Sequence, residues 1–109
     1  MAHEPGLDVH EWESEWASLE DEIADSPEGA LPAIHHLITR MLSQRRILDD
    51  DLVANEGADP DWIQTWQAGA ELVTKLDHPG IDVEQQDVVD QIEEYRGLFE
   101  ALLEQRPAP

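Results

Sequence analysis

No cysteine occurs in this chain, which removes disulfides, thiolate zinc sites and cysteine nucleophiles from consideration and fits a reducing, cytoplasmic setting. Basic residues are nearly as scarce: six Lys and Arg stand against 26 Asp and Glu, for a formal charge of −20. Such a charge repels nucleic acid and anionic lipid, so direct binding to either is not expected. A partner, if there is one, is expected to be a protein, and a basic one; the competing explanation is that the acidity only maintains solubility. No apolar run approaches the ~18 residues that suggest a membrane span. The opening, MAHEPGLD, has neither the basic start nor the apolar run of a secretory signal. The expected location is therefore the cytoplasm.

What is present is charge sorted by segment. The first 30 residues hold ten acids and no Lys or Arg, whereas residues 31–48, LPAIHHLITRMLSQRRIL, hold no acid, three arginines and two histidines. At 109 residues the chain has the length of one domain and can bury a core without covalent staples.

Apolar residues recur at helical spacing in four segments. Trp12, Trp16, Leu19 and Ile23 form the first stripe; Asp8 is placed as N-cap with Glu11 as its capping-box partner, and the helix ends near Asp25. The second helix starts from the Ser26-Pro27 cap and carries Leu31, Ile34, Ile38, Met41, Leu42 and Leu48. Pro32 implies either a start there or an irregular first turn. Asp49, Asp50 and Asp51 oppose the dipole of its C-terminal part. The third opens on Asp59-Pro60-Asp61, carries Trp62, Trp66, Gly69, Val73 and Leu76, and stops at His78-Pro79-Gly80. The fourth starts at Asp82, with Gln85 as capping partner, and carries Val88, Ile92, Tyr95, Phe99 and Leu102. The predicted helices span about 8–25, 27–54, 60–78 and 83–104, within one domain over 1–105, and the tail 106–109 is expected to be disordered. Short connections make neighbours antiparallel, so the predicted fold is all-α: an up-down four-helix bundle.

An offset of 50 aligns Trp12 and Trp16 with Trp62 and Trp66, as two related hairpins would; a shared helical rhythm gives much of the same alignment. Each Trp pair lies on one helix face, either as core or as an aromatic wall for a ligand. Gly69, one turn beyond Trp66, favours core.

His35 and His36 are the sharpest metal candidates. Adjacent helical side chains diverge by about 100°, and no Glu-x-x-His, HExxH or HxxxH motif occurs, so no metal site is assigned. The acidic run Asp49–Asp61 has Ala54 where a calcium loop turns on Gly and Pro60 where its last ligand belongs, and is read as a solvated loop. Glycine turns lack phosphate-loop spacing, and no serine has a base placed beside it. No catalytic residue and no cofactor are predicted. Arg40, Arg45 and Arg46 are expected to pair with glutamates of flanking helices. Val89, Leu98 and Leu103 widen the fourth stripe and are the candidate partner-binding residues on its edge.

The segment Tyr95-Arg96-Gly97-Leu98-Phe99 with Leu102-Leu103, the Trp-rich acidic first helix and the Asp25-Ser26-Pro27 boundary resemble a family of small, acidic, uncharacterised helical proteins of actinobacteria. Pro32 and His35-His36 depart from the acidic residues expected there. The resemblance implies a helical fold and brings no activity or site residues. The functional expectation is a non-catalytic protein-interaction or regulatory module. The alternatives are a nucleic-acid-mimicking inhibitor of a DNA-binding protein, and a small-molecule or metal-binding bundle built on the Trp pairs or His35 and His36. Oligomeric state is left open.

Overall fold

The computed structural model describes residues 5–49 and 51–104; the tail expected at 106–109 lies outside them. Four helices follow in order: α1 (Pro5–Asp25), α2 (Pro27–Gln44), α3 (Pro60–Leu76) and α4 (Gln85–Glu104). Their starts follow from local chemistry. Ser26 caps α2, its hydroxyl accepting the Gly29 N–H at 3.2 Å, with Pro27 following it in the helix. Asp59 caps α3 by accepting the Asp61 N–H at 2.9 Å, with Pro60 next. α1 already begins at Pro5, so Asp8 is a helical residue and not its N-cap. α4 begins at Gln85, beyond the box placed at Asp82, with the Glu84 carbonyl accepting the Asp87 and Val88 N–H groups.

Pro32 does not start or interrupt α2. Its ring lies on the exposed side, and Glu28, whose carbonyl loses the proline's missing N–H, is exposed too, so water can satisfy that carbonyl.

The end of α2 differs most from expectation: the helix stops at Gln44, ten residues short of the predicted 54. Arg46 takes φ 60°, and the Ile47 N–H turns back to the Leu42 carbonyl at 2.9 Å while the Arg46 N–H reaches Ser43 at 3.1 Å. This is the Schellman closure, made with arginine in the left-handed position that glycine usually fills. It carries Ile47 and Leu48 into the core. The loop beyond folds back through a Leu48–Ala54 bridge, and the Asp49 carboxylate accepts the Asp51 and Val53 N–H groups at 2.9 and 3.0 Å.

Contacts between helices fix the up-down topology. Arg40 of α2 pairs with Glu15 of α1, and Arg45 lies over the Trp12 ring at 5.2 Å, so these helices run antiparallel. Trp16 stacks on Phe99 at 4.7 Å and Glu20 pairs with Arg96, setting α4 antiparallel to α1. α2 packs against each of the other three helices, and Ala30, Leu31, Ile34, Leu37, Ile38, Met41 and Leu42 are fully buried along it. That position explains why residues 31–48 lack acids: a carboxylate on most faces of this helix would have to be desolvated. α4 supplies the facing half of the core with Val88, Ile92, Tyr95, Leu98, Phe99 and Leu102. α1 and α3 flank this pair, and Trp12 and Trp16 are buried while Trp62 and Trp66 are half-buried against the core. Among the described residues no helix is long and apolar enough to cross a membrane.

Candidate functional site

The arginines do not all find the partners expected of them. Arg40 pairs with Glu15. Arg45 makes no carboxylate pair among the described residues; it donates to the Leu102 carbonyl at 3.4 Å, near the α4 C-terminus, and covers Trp12. A cation is favoured at a helix C-terminus and on an indole face. Arg46 forms the end of α2. Arg96, which helical periodicity did not single out, pairs with Glu20 and lies 5.6 Å over Trp16. The Arg96 hydrogen bond holds the Glu20 carboxyl below its ordinary range, against the opposing effect of partial burial.

A polar chain links α2, α3 and α4. His35 Nδ1 lies 2.6 Å from the Tyr95 hydroxyl, which also reaches the Trp66 carbonyl at 3.3 Å. The Trp66 indole donates to Thr39 Oγ1 at 2.8 Å, and the Thr39 hydroxyl donates to the His35 carbonyl at 2.7 Å. The His35 ring stacks on Trp66 at 6.1 Å. Trp66 is therefore a hydrogen-bonded structural element, not a free aromatic wall. His36 is exposed while His35 is half-buried, and among the described residues no group of three metal-type ligands gathers.

Burial, with a smaller contribution from His36, lowers the His35 pKa, and burial raises that of Tyr95. The folded chain thus favours neutral His35, whereas the unfolded chain takes up its proton near about 6.5. The contribution to stability is complete above that value and is lost as pH falls through the lower folded pKa. Melting curves between about pH 7.5 and 5.5, a window set by that unfolded value, should show the wild type losing stability relative to His35→Asn. The asparagine amide can supply a donor or an acceptor where Nδ1 stands and does not titrate. Parallel curves would place the acid sensitivity elsewhere.

Besides a groove of about 440 Å³ at the end of α2 and one of about 340 Å³ between α2 and α3, two further grooves lie on the surface of the described residues. One, of about 480 Å³, runs between α1 and α2 and is lined by Ser14, Glu15, Ser18, Leu19, Glu22, Ala33, His36 and Arg40. Its arginine is already engaged by Glu15. The other, of about 230 Å³, lies between α3 and α4, with Ala68, Glu71, Leu72 and Lys75 on one wall and Asp87, Asp90, Gln91 and Glu94 on the other. Each wall repeats at i, i+3, i+4, i+7, the spacing of one helix face. Gln91 is only 5% exposed, the one buried polar side chain among the described residues, and its amide donates to the Thr65 carbonyl at 2.9 Å.

The candidate anchors Val89, Leu98 and Leu103 do not form one patch. Leu98 is 5% exposed and belongs to the core, and Leu103 packs against it. Val89 and Leu103 are separated by about 21 Å along the helix axis. Because α4 meets three helices, it buries more than its central stripe. Among the described residues the large apolar side chains that are exposed, Leu52, Val53 and Ile81, all lie in loops. No family model, curated protein or solved structure matches the chain.

Proposed function

We propose that this chain is a non-catalytic protein-interaction module that docks a basic segment of another protein. The supporting observation is how its charge is distributed. Arg40 and Arg96 pair with carboxylates of α1, and Arg45 is turned onto Trp12 and the end of α4. These scarce cations are engaged within the bundle and leave few positive charges on its surface. Carboxylates on the outer faces, including Glu11, Glu13, Asp21 and Glu22 of α1 and Asp87, Asp90, Glu93, Glu94 and Glu100 of α4, stay exposed. A surface of one sign steers and retains a partner of the opposite sign.

The test is capture from the native cell on the immobilised chain, followed by carboxylate-to-amine cross-linking. A discrete basic protein should be retained at about 0.05 M salt and weakened on raising salt to about 0.2 M. Polyglutamate of matched charge should not retain it. If polyglutamate captures the same proteins, the acidity confers no specificity and the reading fails. If the captured protein binds DNA and duplex DNA displaces it, the module is a nucleic-acid mimic instead.

A further inference from the structure

Resting on that reading, we propose that the α3–α4 groove is a slot for an arginine side chain of the basic partner, with Gln91 as its fixed acceptor. The Thr65 carbonyl can only accept, so the Gln91 nitrogen faces it and the amide oxygen must face the other way. Among the described residues nothing donates to that oxygen, and it is not sealed from solvent. Gln91 lines the groove, and its oxygen is the end of the amide left to face it. A nearly buried amide whose oxygen has no donor from the protein marks a place for one.

The surroundings specify which donor. Glu71, Asp87, Asp90 and Glu94 line the groove, and Lys75 is its one cation. In the antiparallel pair Lys75 lies toward Asp87, leaving the Ala68 and Glu94 end with carboxylates alone. Leu72 and Ala68 offer apolar surface for an aliphatic stem, along which a long cationic side chain packs while its head remains polar. A guanidinium presents five donors in a planar fork and can satisfy an amide oxygen and a carboxylate together. An ammonium is a compact, strongly hydrated point charge and gains less from this arrangement.

The test is a nitrogen-15 NMR titration of the full chain with blocked alanine-based peptides carrying two arginines, two lysines or two citrullines. The arginine peptide should shift amides of residues 68–75 and 87–94 and bind several-fold tighter than the lysine peptide; the citrulline peptide should not bind. Glu71→Gln with Glu94→Gln, both exposed, should weaken the arginine peptide about tenfold, whereas Glu11→Gln with Glu22→Gln, the same charge change on α1, should weaken it less than about twofold. Gln91→Leu should erase the preference for arginine over lysine; should that variant fail to fold, the charge pairs and the peptide comparison still decide. Equal affinity for the arginine and lysine peptides, or equal loss from the two charge pairs, overturns the slot while leaving the basic-partner reading standing. If neither cationic peptide binds at about 0.05 M salt, that reading falls as well, and the slot with it.

Discussion

Ile38→Asp should abolish cooperative folding at 25 °C. Ile38 is fully buried at the middle of α2, the helix that packs against all three others. A carboxylate there has no route to water, and an unpaired buried charge or an unsatisfied buried acid costs several kcal/mol. A domain of this size has only about 5–15 kcal/mol of stability in total. Ile92→Asp, at 2% exposure on the facing helix, should behave alike. Glu13→Ala, on the exposed side of α1, should change stability by less than about 0.5 kcal/mol. Urea denaturation followed by far-ultraviolet circular dichroism separates these outcomes. A folded Ile38→Asp within about 1 kcal/mol of wild type would mean that the α2 face is not where the core lies.

The parts of the fold that could be read in advance were those set by local chemistry. Ser26-Pro27 and Asp59-Pro60-Asp61 satisfy backbone donors within three residues, so the starts of α2 and α3 were legible. The end of α2 was not, for two reasons. Leu48 continues the apolar rhythm of Met41 and Leu42, and its burial mimics one more helical turn. The closing residue is Arg46 where glycine would have announced a stop. Rhythm identifies which residues are apolar; it does not say whether a later one reaches the core by helix or by a reversed chain.

Long-range pairings were harder still. The link of Glu20 to Arg96 spans 76 residues and depends on how α1 lies against α4. A strict a/d stripe leaves Leu98 at its edge, but α4 has three neighbours and a wider buried face. The candidate slot did leave a trace. Gln91 stands three residues after Val88 and four before Tyr95, on the apolar stripe itself. A polar residue at a core position asks for a partner; Thr65 answers for its nitrogen. Gly69 admits a large neighbour, and that neighbour is Tyr95 from α4.

That contact carries the second large effect. Glycine inside a helix is normally worth replacing, since alanine gains about 0.5–1 kcal/mol. Gly97→Ala should follow this rule, because a Cβ there meets nothing within 4 Å. At Gly69 the sign reverses. A Cβ would stand 2.7 Å from Tyr95 Cε2 and closer still to Cζ and the hydroxyl oxygen. Tyr95 has little room to withdraw: it is fully buried, with its hydroxyl held by His35 and the Trp66 carbonyl. Gly69→Ala should therefore cost about 3 kcal/mol, at the upper end of ordinary overpacking, and lower the Tm by roughly 10 °C or more. Tyr95→Leu removes the obstructing ring end, so adding Gly69→Ala to that variant should cost far less than in the wild type. The two substitutions are in contact and should be non-additive. If Gly69→Ala instead raises the Tm as Gly97→Ala does, Tyr95 does not fill the space above Gly69, and the register of α3 against α4, on which the groove between them depends, would have to be redrawn.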